Sequence, residues 1–194
     1  MNIPQYVSNI LTTLMQAGYT AYLVGGCVRD SLLGLQPQDY DIATSALPEQ
    51  VMHLFPKTVP TGLQHGTVTI LTPEGACEVT TYRGGKPYGS NRHQAHPFSK
   101  TIEEDLAHRD FTVNAIAYDG YRYVDPFHGR EDLKHKCIRA VGNPRERFEE
   151  DALRMLRAVR LSAQCRFTLD IETKAAIKQE RRLIESTSVE RIRD

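Results

Sequence analysis

Residues 25–44 read GGCVRDSLLGLQPQDYDIAT, and the order of features in that stretch decides the fold. Just upstream, Thr20 to Val24 is a short apolar run that predicts a buried strand. It enters Gly25-Gly26, a pair suited to backbone conformations closed to other residues, and then a brief helix over 28–33 that Gly34 ends. A strand, a glycine turn and a helix leave backbone N–H groups exposed at the turn. They can cradle a triphosphate there, with Arg29 one helical turn on to supply countercharge. Asp39 to Ala43 predicts a second strand. Side chains alternate along a strand, which sets Asp39 and Asp41 on one face and Tyr40 and Ile42 on the other. Two carboxylates held together repel unless a cation lies between them, and oxygen-only ligation suits Mg²⁺, which also bridges nucleotide phosphates. A D-x-D alone is more often a pair of solvated loop acids. The glycine turn and Arg29 give this one its weight.

Working outward, Ile3, Val7, Ile10, Leu11, Leu14 and Met15 recur at helical spacing, which predicts a helix over 4–17 stopped by Gly18. Downstream, the pattern predicts a helix over 48–55, strands over 66–71 and 77–82, and a short helix over 111–118 leading into a strand over 121–124. Mixed strands and helices in this order argue for an α+β head with one small mixed sheet. Between them, RGGKPYGSNRHQAHPFSKT (83–101) has no periodicity and reads as a working loop or flap. Asn143-Pro144 is a good helix start, because Asn caps free N–H groups and Pro fits the first helical position. The helix it opens is expected to reach about Cys165, with another after Asp170, so the chain divides into a head, 1–142, and an all-helical neck, 143–194. SVERIRD (188–194) reads as the start of a helix without a stop signal, which predicts a longer parent protein.

On the long helix, Phe148, Ala152, Met155, Leu156 and Val159 fall on one arc, the expected core face. Asp151, Arg154, Arg157 and Arg160 follow an i, i+3 row whose neighbours are expected to touch. By itself this row reads as a solvated, salt-bridged helix face, and Arg109-Asp110 reads as a surface ion pair. Basic and acidic residues balance at 24 each, so composition points to no nucleic-acid partner and any such surface must be local. Cys27, Cys77, Cys137 and Cys165 are widely spaced among apolar residues, the pattern of buried free thiols rather than disulfides or zinc ligands. The seven histidines show no H-E-x-x-H spacing, and neither a G-x-S-x-G elbow nor a Walker P-loop is present. There is no basic and apolar leader and no apolar run of about 18 residues. These features predict a cytoplasmic protein without a membrane partner.

The stretch 25–44 closely resembles the signature of the class II CCA-adding enzymes and bacterial poly(A) polymerases. The resemblance continues in family order through HGTVTIL, EVTTYR, HRDFTVNAIAYD, DPFHGREDL and RFEEDALRMLRAVR, and so spans nearly the whole chain. It implies a polymerase-β-like nucleotidyltransferase head in which Asp39 and Asp41 carry two Mg²⁺ ions while Gly26 and Arg29 hold the triphosphate. Arg109 and Asp110 match the motif for nucleotide binding and ribose recognition, in which Asp110 accepts from the 2′-OH. His108 stands where an arginine is usual. Asp151 and Arg154 match the residues that read the base, and Arg157 and Arg160 reach its phosphates. Glu78 is a candidate third carboxylate, and pairing of Glu78 with Arg83 or Lys86 is the alternative.

The implied activity is transfer of CMP and AMP from CTP and ATP to the 3′ end of tRNA, with release of pyrophosphate. Poly(A) polymerase, a CC-only or A-only enzyme, and a non-catalytic nucleotide- or RNA-binding module are the alternatives. The segment 83–101 corresponds to the flexible loop of CCA-adding enzymes, most of which CC-only relatives typically lack, and this favours full CCA addition. Cytosine and adenine share an exocyclic amino donor beside a ring-nitrogen acceptor, whereas uracil and guanine present a carbonyl and an N–H there. A carboxylate with a guanidinium therefore serves both correct bases and mispairs with both wrong ones.

Overall fold

The computed structural model describes residues 1–84 and 98–193. In chain order the elements are α1 (Gln5–Gln16), β1 (Ala21–Val24), α2 (Gly26–Leu32), β2 (Asp41–Thr44), α3 (Pro48–Leu54), β3 (Thr58–Gly62), β4 (Thr67–Thr72), β5 (Gly75–Thr81) and α4 (Ile102–Ala107). They continue with β6 (Ala117–Tyr118), β7 (Tyr123–Val124), α5 (Gly129–Lys134), β8 (Cys137–Ile138), α6 (Pro144–Glu150), α7 (Leu153–Cys165), β9 (Thr168–Leu169), α8 (Ile171–Glu180) and α9 (Val189–Arg193). The expected mixed sheet is present and runs to seven strands, in the order β3-β4-β5-β2-β1-β6-β7. Within it, β2 and β5 are parallel and the other pairs antiparallel.

The two short central strands are buried on both faces, which is why their sequences are nearly all apolar. On one face α1 lays Val7, Ile10, Leu11 and Leu14 against Leu23, Ile42, Val68 and Val79. On the other, Tyr22, Val24 and Ala43 meet Tyr82, Ile102 and Leu106. Because β1 and β2 run antiparallel with Val24 opposite Asp41, the turn that leaves β1 sits beside the residue that opens β2. This register brings the glycine turn to the acid.

Several expectations need correction. Asp39 lies in the loop before β2, not in the strand, so alternation along a strand does not set its direction. The stretch 111–118 is a 3₁₀ turn over Thr112–Asn114 followed by β6, too short to close an α-helix. The helix after Asn143 starts as expected, with the Asn143 side chain accepting from the Arg145 N–H at 3.0 Å. It does not continue to Cys165, because Asp151 is extended (φ −151°, ψ 106°) and separates α6 from α7. The break resets the helical phase: the core face of α7 is Met155, Ala158 and Leu161, while Leu156 and Val159 are exposed. Beyond residue 143 helices dominate with one exception, β9, whose two residues pair in parallel with β8. Strand β3 and helices α4 and α5 escaped the periodicity. Most of the expected loop over 83–101, including Lys86, lies outside the described residues. Among the described residues no helix is long and apolar enough to cross a membrane.

Candidate nucleotide site

Gly25 caps α2 at φ 76° and ψ −137°, a region that L side chains avoid. A Cβ there would also lie 3.1 Å from Arg109 Nη1 and 3.6 Å from Asp41 Oδ2. The glycine therefore lets a cation and a carboxylate close in on the turn. At Gly26 the missing side chain leaves room for the Arg29 guanidinium, which would lie 3.5 Å from a Cβ. Arg29 pairs with Asp30 at 2.7 Å and donates to Asn114 Oδ1 at 2.8 Å.

Around this turn is a cleft of about 310 Å³ lined by Gly25, Gly26, Asp41, Arg109, Asp110, Asn114, Asp151, Arg154 and Arg157, with Arg83 and His108. A second hollow behind it is lined by Asp39, Asp41, Gly26 and Arg29. The two acids of the D-x-D thus share a surface although only Asp41 is on a strand. Arg160 stands apart from the main cleft and lines an adjoining hollow with Arg29, Asp110, Asn114 and Arg157.

The surrounding protein disfavours the charged form of Asp41 and pushes its carboxyl above the usual range. Arg109 opposes that shift, and the acids Glu78 and Asp39 add to it. A carboxylate whose charged form its surroundings disfavour, with Glu78 and Asp39 adding to the effect, suits a hard divalent cation. Among the described residues no cluster of three or more His, Cys, Asp or Glu side chains gathers to hold a metal. A carboxylate pair that leaves remaining positions to phosphate oxygens and water fits the way Mg²⁺ is held.

Glu78 does not pair with Arg83. Its place in β5 sets it beside Asp41, and Arg83 instead bonds Asp105 at 3.0 Å. Asp105, 1% exposed, also takes Arg109 at 3.2 Å, so one buried carboxylate holds two arginines of the cleft. Burial raises the Asp105 carboxyl, but Arg109 and then Arg83 outweigh it, and the net shift is downward.

Asp110 is buried, and both its oxygens are engaged. Oδ1 accepts from the Phe111 N–H at 2.9 Å and from Asn114 Nδ2 at 3.3 Å, while Oδ2 accepts from Arg157 at 2.6 and 2.8 Å. Arg109 and Asp110 are therefore not a mutual surface pair, since Arg109 bonds Asp105 four residues before it and Asp110 bonds Arg157 of α7.

Asp151 and Arg154 both face the cleft, but their side chains are not partnered with each other as the i, i+3 row suggested. Arg154 bonds Glu150 at 2.8 Å, and Glu150, 6% exposed, is fixed from the other side by Arg147 at 2.8 Å. Asp151 meets Arg191 of α9 at 3.3 Å. The break at Asp151 produces this arrangement by turning the carboxylate out of the helical row.

Asp105, Asn114 and Glu150 do not stand out in the sequence. Each lies within five residues of a residue that does, which is the available signal. All four cysteines are free; Cys27 and Cys77 are buried, whereas Cys137 and Cys165 are only partly so. Burial pushes the Cys27 thiol to about 11, which makes it a poor nucleophile.

Residues 21–139 match the family described as the poly A polymerase head domain. The chain is 50% identical over 187 residues to the CCA-adding enzyme of Lactobacillus helveticus, covering 95% of this chain and 47% of that protein. It is 51% identical over 187 residues to the CCA-adding enzyme of Oceanobacillus iheyensis, covering 95% and 47%. Its structure is similar to the crystal structure of Bacillus stearothermophilus CCA-adding enzyme in complex with CTP, with TM-score 0.91 and 47% identity, over 99% of this chain and 47% of that one. It also resembles Thermotoga maritima CCA-adding enzyme complexed with tRNA, with TM-score 0.80 and 27% identity, over 99% and 46%. The chain spans about half the length of these relatives.

Proposed function

Because this chain belongs to the poly A polymerase head domain family, with a polymerase-β-like α+β fold, we propose that it is the catalytic head of a CCA-adding tRNA nucleotidyltransferase. It transfers CMP and AMP from CTP and ATP to the 3′-OH of tRNA in the cytoplasm and releases pyrophosphate. The observation that carries this reading is the convergence of the Gly25-Gly26 turn, Asp41 and the cations Arg109, Arg154 and Arg157 on one cleft. The name the relatives share favours CCA addition over the alternatives.

Each part of the cleft has a task in this reading. Asp39 and Asp41 hold Mg²⁺, which supplies acidification of the attacking hydroxyl and countercharge for the triphosphate when bound. The turn at Gly26 offers backbone N–H groups to the phosphates, and Arg29, Arg109, Arg157 and Arg160 surround them with positive charge. Phosphoryl transfer asks mainly for such alignment and charge. Asp110 accepts from the ribose 2′-OH. Asp151 accepts from the exocyclic amino group of cytosine or adenine while Arg154 donates to the adjacent ring nitrogen. Arg154 can do so because Glu150 holds its guanidinium from behind. The Asp151–Arg191 contact is long and exposed, of the kind worth about 1 kcal/mol or less, so Asp151 exchanges it readily for a base. Residues 1–142 form the head, and 143–194 the neck that carries the base-reading pair.

The test is incubation of the chain with tRNA lacking its 3′ end and labelled CTP, ATP or both, followed by sizing of the products. Addition of C, C and A in order is the expected result. A long A tract would indicate poly(A) polymerase, arrest after CC or addition of A alone a partial enzyme, and nucleotide binding without incorporation a non-catalytic module.

A further inference from the structure

Among the described residues three other than glycine have positive φ: His128 (58°), Lys136 (53°) and Arg166 (56°). An L side chain enters this region only under strain. His128 precedes α5, whereas Lys136 and Arg166 follow the ends of α5 and α7. At a helix end that turns left-handed, glycine is the usual occupant. Two other helices of this chain end that way, with Gly18 after α1 at φ 89° and Gly34 after α2 at 75°. The same turn is thus made twice by glycine and twice by a long cation.

The fold brings these two cations to one edge. Lys136 directly precedes β8, Arg166 stands two residues before β9, and the two strands pair in parallel with Cys137 opposite Thr168. The Lys136 carbonyl accepts from the Thr168 N–H at 2.8 Å. Both side chains are exposed, and neither takes part in the salt bridges among the described residues. The acids whose charge acts on the adjoining Cys137, Asp132 and Asp170, both bond Arg139. Helix α7 joins this edge to the cleft: its 13 residues, about 20 Å at 1.5 Å per residue, run from beside Asp151 to Arg166, with Arg157 and Arg160 exposed between. We propose that Lys136 and Arg166 form a binding site for the phosphate backbone of the RNA acceptor, one length of α7 away from the cleft that takes its 3′ end. This rests on the transferase reading above. Glycine would relax both turns but has no group for a phosphate, and backbone strain is kept where a function needs the side chain. Lysine and arginine on phosphates supply affinity that does not depend on sequence. A cation at a helix C-terminus also meets the negative end of the helix dipole, and the two roles have different consequences.

Lys136→Gly combined with Arg166→Gly separates them, because glycine suits both turns and removes both charges. Binding of this chain to tRNA lacking its 3′ end is measured across a range of salt concentrations, with CTP affinity and the thermal midpoint alongside. The double variant is expected to keep its midpoint and its CTP affinity. It should bind the RNA about tenfold more weakly near 0.1 M salt and lower the log–log salt slope by about 1.4 to 1.8, two contacts at about 0.7 to 0.9 each. The charge-preserving pair, Lys136→Arg with Arg166→Lys, should bind RNA as the unaltered chain does. Unchanged RNA affinity and slope in the glycine variant overturn the proposal, as does a loss that the charge-preserving pair shares or that CTP affinity follows. A lower midpoint with full RNA binding would make the two cations helix caps only, which also overturns it. If the unaltered chain bound RNA through this pair yet incorporated no nucleotide, the transferase reading would fall while the phosphate site stood.

Discussion

Asp41 and Glu78 are register partners across the parallel pairing of β2 with β5, so the acid that opens β2 has a second acid as its strand neighbour. The surrounding protein, opposed by Arg109 and reinforced by Glu78 and Asp39, lifts the Asp41 pKa above its ordinary value of 3.8. A carboxyl raised on folding stabilises the fold below its unfolded pKa, and that contribution is lost as pH rises through the folded value. At neutral pH, without divalent metal, ionised Asp41 is therefore a liability. Asp41→Asn should raise the thermal midpoint at pH 7 more than at pH 4, and Mg²⁺ should narrow the difference by stabilising the unaltered chain. Melting curves with and without Mg²⁺ check this.

In transfer assays, Asp39→Ala and Asp41→Ala should each abolish incorporation while circular dichroism stays native. Retention of more than about a tenth of the turnover, a loss below about 1.4 kcal/mol, would remove that residue from the metal site.

Asp105 gives the opposite pH sign. Its pKa is lowered from 3.8 because Arg109 and Arg83 outweigh its burial. Its contribution is present above the unfolded pKa and disappears as pH falls from about 4 through the depressed folded value. Asp105→Asn should cost about 3 kcal/mol at pH 7, since it strands two arginines on a buried neutral group, and should flatten the acid limb of the stability curve. Urea midpoints from pH 2 to 7 measure both effects.

Gly25→Ala should fold less stably and bind nucleotide poorly. The positive φ strains any L residue, and the new methyl meets Arg109 Nη1 at 3.1 Å. Gly34 also has positive φ, but a methyl added there would have nothing within 4 Å, so Gly34→Ala carries the strain alone. Comparison of CTP affinity in the two variants separates backbone strain from crowding of the cleft: the Gly25 variant should lose at least about tenfold more.

Asp151→Ala should lower the use of CTP and ATP sharply and that of UTP and GTP much less, each unsatisfied buried polar group being worth about 1 to 3 kcal/mol. Arg191→Ala should leave the ratio of CTP to UTP efficiency unchanged, because the Asp151–Arg191 contact is exposed and long. Steady-state rates with all four nucleotides decide it. An unchanged ratio in Asp151→Ala would return this face of the neck to an ordinary solvated surface.

Much of this protein is legible from local chemistry. The strand, glycine turn and helix of residues 20–34, the cap at Asn143 and the core stripe of α1 follow from short-range rules about φ angles, orphan N–H groups and side-chain period. Arg29 and Asp41 stand out by residue type and order around the glycine turn, whereas Arg109, Asp110, Asp151 and Arg154 stand out only through the resemblance of their stretches to the family signature. Tertiary structure decided which charges face each other. Asp105 draws Arg83 and Arg109 together, Glu150 takes Arg154 from Asp151, and Asn114 joins Arg29 to Asp110. Such pairings depend on strand register and on the break at Asp151, and neither has a local signature. A carboxylate's partner is whichever guanidinium the packed core leaves within about 3 Å, a distance set by the whole fold and by no single stretch of chain.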